Sequence, residues 1–450
     1  MARELILKIL VAILDNGAYS NIELNRCFMA NELRQCDVAF ITEMVYGILK
    51  YKLRIDYVIS SFSRVKLKKM SCWIINILRM GVYQMMFMDR VPVSAAVNES
   101  VKLAKKYGHA YSVKFVNGVL RSISRDKDKV KYTSCDKDKL KYLSVWYSYP
   151  MWIVKRCVDD FGYDFTKSFL ESSNKKPKFC IRVNTTRISV EELMDLFNKN
   201  GIGAVRSSIS EYGLVLDKAY DIVNSDFYKK GYFTIQDESS MLVASVVNPE
   251  CEDVVVDVCA APGGKTTHMA QLMNNSGLVY AQDLYKHKVQ LIDDMANRLG
   301  LCNIRSCVFD STTVRSELIG CADKVLADVP CTGLGIMRRK PDIRWRKESG
   351  DVENIAKLQY KILDIASKYL KEGGVLVYST CTITRDENLG VIRRFIQEHS
   401  NFVMEDITNL IPDFIRSDTS SKGYIELYPN VQGTDGFFIS KMRKVSRDRA

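Results

Sequence analysis

Downstream of Gly231, five short apolar runs, VVVDVCA, GLVYAQD, NIRSCVFD, ADKVLADVP and GGVLVYST, alternate with stretches of helical pattern. Buried strands separated by helices point to a mostly parallel sheet with helices on both faces, because parallel neighbours need a crossover and the helix supplies it. In such a sheet the ligand site lies beyond the carboxyl ends of the strands. Those ends are where chemistry is expected.

The first run passes into CAAPGGKTTHMA, where Pro262, Gly263 and Gly264 allow a tight turn and close backbone approach to a ligand at a helix start. A ligand-free strand-to-helix turn would use the same residues. The second run ends in Asp283, placed about twenty residues further on, where a carboxylate can accept both hydroxyls of a ribose. Neither G-x-x-x-x-G-K-[ST] nor G-x-G-x-x-G is present, which disfavours a phosphate loop and a nicotinamide site. The third run ends in Asp310 and the fourth in Asp328. Any one of these aspartates reads equally well as a helix N-cap, but together they bring polar groups to one sheet edge.

Two cysteines join them, Cys331 in DVPCTG after the fourth strand and Cys381 in YSTCT after the fifth. A single cysteine is more often a small buried apolar residue, whereas two at adjacent strand ends point to thiol chemistry. Carbon 5 of cytosine is a poor nucleophile until a soft nucleophile adds to carbon 6. It can then take a methyl group, after which its proton is removed and the thiolate is eliminated. One thiol attacks and a second assists release.

The rest of the chain differs in texture. Up to about Arg125 apolar residues recur at helical spacing, as in Ile6, Ile9, Leu10 and Ile13, then Val38, Ile41, Val45 and Ile48. Leu5–Leu14 carries Lys8 and has no cleavage site behind it, so it reads as an amphipathic helix and not as a leader. The expected layout is an all-helical domain over 1–130, a charged linker over 131–142, a small α+β domain over 143–232 with strands at FCIRVNT and YGLVLD, and the α/β domain over 233–446. The formal charge of +12 favours a polyanionic partner. Thirteen cysteines without a C-x-x-C pair suggest neither a metal site nor a disulfide framework. Reduced thiols fit a cytoplasmic protein, and no stretch reaches the roughly 18 apolar residues of a membrane span.

The series VDVCAAPGGKT, AQD, VFD, ADVPCTG, RRKPDIRW, STCT and TDGFF resembles the ordered motifs of the NOL1/NOP2/Sun family of RNA cytosine-5 methyltransferases over roughly the last 220 residues. Upstream, RQCDVAFITEMVYGILKYKLRIDYVIS is similar to the helical RNA-binding domain of the NusB antitermination factor. KPKFCIRVNTTRIS and GYFTIQDESSML resemble the segment before the catalytic domain in bacterial Sun proteins. The resemblance implies a Rossmann-like class I methyltransferase domain preceded by an all-α NusB-like domain and a small α+β domain.

It further implies that Cys259, Ala260, Ala261, Pro262, Gly263, Gly264, Lys265, Asp283, Asp310 and Asp328 surround S-adenosyl-L-methionine, that Cys381 is the nucleophile, and that Cys331 resolves the adduct. Asp283 is expected to bind ribose, Asp310 the adenine amine, and Asp328 to lie near methionine or the cytosine's polar edge. Lys265 is expected to lower a thiol pKa or orient Asp328. The implied substrate is 16S ribosomal RNA before complete subunit assembly, methylated at cytosine 967. The family usually has alanine at Val329 and serine at Thr332 and Thr382, substitutions that preserve size or hydroxyl chemistry.

A stacked base hides carbon 6, so an unpaired or extruded cytosine is required. Arg338, Arg339, Lys340, Arg344 and Arg346 around Trp345 read either as a phosphate grip with a stacking ring or as an exposed basic loop with a core tryptophan. His268 and the other histidines read as structural or surface residues. Two other functions stay open on sequence: the same chemistry on transfer RNA, and a non-catalytic NusB-like RNA-binding scaffold.

Overall fold

A computed structural model describes residues 1–126, 129–130, 132, 138–217 and 221–446, which fall into two compact units, Met1–Lys175 with Met337–Ser349, and Lys176–Ile336 with Gly350–Ala450. Residues 131 and 133–137 of the expected linker lie outside the described residues.

The first unit is helical, with helices Ala2–Leu14, Ser20–Ala30, Gln35–Phe62, Cys72–Phe87, Val93–Tyr107, Ala110–Asp126, Lys139–Tyr147, Met151–Phe161 and Tyr163–Ser172. Of the positions of the helical apolar pattern, Ile6, Ile9, Leu10, Ile13, Ile41, Val45 and Ile48 are buried in its core, and Val38 is half-buried. A bidentate Arg79–Asp56 pair, at 2.7 and 2.8 Å, is buried beside that core. The last three helices were expected largely within the α+β domain, yet they cluster with this unit. The Ser148 hydroxyl accepts the Leu53 N–H at 2.8 Å, and Lys50 Nζ donates to the Asn174 carbonyl at 3.0 Å, ties that local apolar spacing does not encode.

The second unit holds two sheets. The smaller comprises β1 (Phe179–Val183), β2 (Ala204–Arg206), β3 (Gly213–Leu216) and β4 (Phe233–Ile235), all antiparallel in the order β2-β3-β1-β4. Its helix Val190–Lys199 starts at a Ser189/Glu192 capping box. β4 was expected inside the catalytic domain from residue 233, but it pairs with β1, with Ile181 opposite Ile235.

The larger sheet comprises β5 (Val254–Asp257), β6 (Leu278–Asp283), β7 (Ile304–Val308), β8 (Ala322–Asp328), β9 (Leu370–Thr380), β10 (Phe402–Met404), β11 (Tyr424–Leu427) and β12 (Phe437–Lys444). The order is β10-β12-β9-β8-β5-β6-β7, with β11 paired to β12. β5 to β9 are the five strands read from the sequence and are parallel; β10, β11 and β12 add an antiparallel edge that the strand pattern did not disclose. Side chains alternate between two cores. Val255 packs in a core shared with Leu242 and Met269, and Val256 in one shared with Ile362, Leu363 and Phe395. Both faces are thus covered by helices, which is why these strands are nearly continuous apolar runs. β5 lies between β6 and β8, so the strand order reverses there and opens the crevice in which such sheets bind ligands.

Candidate active site

The turn after β5 is held from several sides. Gly263 has φ +105°, and a Cβ there would lie 3.2 Å from Ile292 Cα, so glycine meets both the backbone and the space requirement. Thr266 Oγ1 donates to Asp257 Oδ2 at 2.7 Å, and the Ala260 N–H donates to the Gln282 carbonyl at 2.9 Å. From β1, the wholly buried Arg182 donates to Gln236 Oε1 at 2.5 Å, to Thr267 Oγ1 at 2.9 Å and to the Gly264 carbonyl. Burial, with Arg298 nearby, pulls its pKa down to about 9.

Along the sheet edge the acids separate by role of environment. Asp283 is buried, accepts the Ala261 N–H at 3.3 Å and faces Lys288 at 3.5 Å. Asp310, two residues past β7, is exposed and accepts the Thr312 N–H at 2.9 Å, a bond that holds its carboxyl below the usual range. Asp257 is buried at the end of β5 and is pushed up to about 7 by that burial, with Asp328 adding to the rise and the Thr266 hydrogen bond opposing it.

Asp328 is gripped on both oxygens, by Ser379 Oγ at 2.7 Å and Lys265 Nζ at 2.7 Å. Burial works against the Lys265 charge, but Asp328 more than restores it, with Cys381 and Asp257 adding to the rise. Lys265 also lies 5.0 Å from the Phe437 ring centroid, which ties the expected TDGFF motif to the site.

The two thiols meet. Cys331 Sγ and Cys381 Sγ are 3.1 Å apart, a hydrogen-bond contact well beyond the roughly 2.05 Å of a disulfide. Their loops are fixed by the Gly335 N–H on the Cys381 carbonyl at 3.0 Å, and a Cβ on Gly335 would fall 2.8 Å from that carbonyl and 2.0 Å from the Gly436 carbonyl. The hydrogen bond to Cys381, with burial, raises the Cys331 thiol well above the ordinary thiol range. Cys259 is also raised well above it, by burial and by Asp257, Asp328 and Asp283, and so stays a thiol beside the glycine turn.

The sheet order therefore gathers Asp328, Lys265, Cys331 and Cys381 on one side of the switch point and Asp283 and Asp310 on the strands of the other. The basic cluster belongs to the helical unit, within Met337–Ser349. Arg344 is wholly buried in the helical unit, donating to the carbonyls of Lys50, Ser148 and Ser173 and to Asn174 Oδ1 at 2.8–3.4 Å, with its guanidinium 3.8 Å from the Tyr149 ring centroid. Trp345 Nε1 donates to the Leu49 carbonyl at 2.8 Å, Lys52 lies over its ring, and Asp342 Oδ1 accepts from Ser20 Oγ at 2.5 Å. Arg338 is buried and Arg346 stacks on Tyr19. Of the five basic residues only Lys340 is exposed. The phosphate-grip reading is corrected for Arg344 and Trp345, because both Nη groups of Arg344 and Nε1 of Trp345 donate to protein oxygens within the helical unit. His268 is wholly buried edge-on to Tyr212.

Set beside known proteins, the chain is 39% identical over 447 residues to the probable ribosomal RNA small subunit methyltransferase B of Bacillus subtilis (strain 168), with 98% of each covered. The chain belongs to the 16S rRNA methyltransferase RsmB/F family. That family's model matches residues 244–443, a NusB family model matches 1–125, and a ferredoxin-like domain model of RsmF/B-like methyltransferases matches 149–223. Among solved structures, PH0851 aligns at 27% identity over 98% of both chains with a TM-score of 0.81. NSun6 from Pyrococcus horikoshii with SFG aligns at 26% identity over 65% of this chain and 97% of its own, with a TM-score of 0.57. Membership fixes the class as methyltransferase and agrees with the sheet and its flanking domains. Among the described residues no helix is long and apolar enough to cross a membrane.

Three groups at this site escaped the sequence reading. Asp257 sits inside the recognised VDVCAAPGGKT motif, but only its burial among strands sets it apart. Arg182 reads as an alternating strand residue. Glu387, a buried carboxylate that accepts the Thr332 N–H beside Cys331 at 2.7 Å, follows the STCT motif in a run, TITRDEN, that carries no sign of burial.

Proposed function

We propose that this protein transfers a methyl group from S-adenosyl-L-methionine to carbon 5 of a cytosine in 16S rRNA, the position numbered 967, through a covalent bond between Cys381 Sγ and carbon 6. The observation that carries the reading is the 3.1 Å approach of two thiols at the ends of adjacent parallel strands, beside a carboxylate held by lysine. A nucleophilic thiol and a second sulfhydryl that assists its departure need this closeness.

Asp283 retains acceptor capacity for vicinal hydroxyls, since the N–H it receives is 3.3 Å away. A Cβ placed on Gly264 would have Gln236 as its nearest neighbour at 3.8 Å, so the turn is open on that side. These features fit a nucleoside, with Cys259–Lys265 and Asp283 along it and Asp310 toward the base. Bound S-adenosyl-L-methionine supplies an electrophilic methyl carbon. NSun6, a structural relative, was crystallised with SFG, which agrees with a small ligand at such a site.

The chain's own residues then divide the work. Cys331, kept protonated by its hydrogen bond and burial, is placed as the donor to Cys381 Sγ in this reading, which leaves Cys381 as the attacking sulfur. Cys381 adds to carbon 6, and the displaced electron pair makes carbon 5 nucleophilic. Asp328, oriented by Lys265 and Ser379, faces the polar edge of the base. After methylation a base takes the carbon 5 proton, the carbon 5–carbon 6 double bond reforms, and Cys381 leaves with the sulfur–carbon electron pair while the Cys331 thiol assists. The substrate is proposed as RNA before complete subunit assembly, in the cytoplasm.

Bisulfite sequencing of RNA from cells with and without the protein tests this reading. One small-subunit rRNA cytosine should lose its methyl group in the knockout and regain it with the wild-type chain but not with Cys381→Ala. Loss of a transfer RNA cytosine instead would overturn the substrate, and no loss anywhere would overturn the reaction.

A further inference from the structure

Glu387 is wholly buried, in a π-helical turn, Asp386–Gly390, of the kind that recurs at functional sites. A buried carboxylate is costly unless its lone pairs meet donors. Here four donors converge. Oε2 accepts the Thr332 N–H at 2.7 Å and Gln359 Nε2 at 3.1 Å, and Oε1 accepts the hydroxyls of Thr332 at 2.5 Å and Thr384 at 2.7 Å. The Thr382 hydroxyl lies 2.8 Å from Thr332 Oγ1, its closer partner than Glu387 Oε1 at 3.3 Å. Gln359 also donates to the Pro330 carbonyl at 2.9 Å.

Pro330 and Thr332 flank Cys331, and Thr382 follows Cys381. We propose that Glu387 is a positioning residue that sets the separation of the two thiols, binding the Cys331 loop directly and the Cys381 loop through the paired threonine hydroxyls. Only an ionised carboxylate is acceptor-only at both oxygens. Glu387→Ala removes every acceptor at once. Glu387→Gln keeps the shape, with its oxygen toward the Thr332 N–H and its amide toward hydroxyls that can rotate to accept. The catalytic consequence rests on the reading that both thiols act on one base, whereas the geometric claim does not.

The test is thiol cross-linking of the reduced full-length protein by diamide, which takes two hydrogens from two thiols to give a disulfide and the corresponding hydrazine, with the Cys331–Cys381 peptide quantified by mass spectrometry. The wild type should cross-link fast, Glu387→Gln nearly as fast, and Glu387→Ala about 10- to 100-fold slower, the scale of an ångström-sized misplacement. If Glu387→Ala does not fold, Thr382→Val, which cuts only the hydroxyl link, should still slow the reaction. A folded Glu387→Ala or Thr382→Val that cross-links at the wild-type rate would overturn the proposal. Single-turnover methylation and covalent RNA adduct are followed in parallel. Glu387-dependent cross-linking in a wild type that transfers no methyl group, with no adduct in Cys331→Ala, would sink the methyl-transfer reading and leave the positioning role standing.

Discussion

Lys265 Nζ lies 2.7 Å from Asp328 Oδ2, so the lysine of the glycine turn is bonded to the aspartate at the end of β8. This geometry favours the orienting role for Lys265 over an isolated point charge. Lys265→Met should leave Asp328 held by Ser379 alone and free to turn. Single-turnover methylation with saturating cofactor is expected to slow by about tenfold or more, the low end of what a positioned acid–base group contributes. An unchanged single-turnover rate would remove Lys265 from the chemistry.

The thiol pair makes an asymmetric forecast. Cys331→Ala removes the group proposed to assist departure, so the protein should accumulate a covalent RNA adduct visible as a slow band in a denaturing gel. Cys381→Ala, and the double variant, should show none. An adduct in Cys381→Ala that disappears in Cys331→Ala would exchange the two roles.

What the sequence disclosed and what it hid follow one physical division. The parallel strands, the glycine turn, Asp283, Asp328 and both cysteines were legible because each depends on a local pattern: an apolar run, a residue permitting φ of +105° at Gly263, a polar group at a strand end. Glu387 and Arg344 were not, because a buried charge is recognised by its partners, and those of Arg344, with Thr332 and Gln359 for Glu387, lie far along the chain. Arg344 donates to oxygens 170 to 294 residues away, from Asn174 Oδ1 to the Lys50 carbonyl. A run such as RRKPDIRW gives no sign of which guanidinium meets water and which meets carbonyls. The antiparallel edge β10 to β12 stayed hidden for a similar reason, since its pairing with β9 is set by register and not by a turn signal.

Asp257 predicts a pH dependence. Its folded pKa, about 7, lies above the ordinary 3.8, so the native state binds a proton that the unfolded chain releases. The corresponding stability is full below pH 3.8 and is lost as the pH rises through about 7. Asp257→Asn keeps an acceptor for Thr266 without the ionisation. The variant's melting temperature minus that of the wild type should therefore grow from pH 4 to above 7 at constant ionic strength. A difference independent of pH would show that the Asp257 carboxyl is not raised.

Arg344 gives the sharpest test of the corrected reading. A phosphate-gripping arginine is exposed, and its loss weakens RNA binding and flattens the salt dependence while sparing stability. A buried arginine bonded to three carbonyls and an amide oxygen predicts the reverse. Arg344→Ala leaves those acceptors without donors, and each buried unsatisfied group costs about 1–3 kcal/mol, so the helical unit should lose about 3 kcal/mol or more. Arg344→Lys should also destabilise, because an ammonium cannot reproduce the planar fork over the Tyr149 ring. Both should lower the melting temperature and speed proteolysis within Met1–Lys175, yet leave the slope of RNA affinity against salt unchanged at temperatures where they are folded. Deleting residues 1–139 removes Ser20, Leu49 and Lys50, the partners of Asp342, Trp345 and Arg344, so that truncation should expose Met337–Ser349 to protease instead of yielding an intact catalytic fragment. A stable Arg344→Ala protein with a reduced salt slope would return this arginine to the RNA.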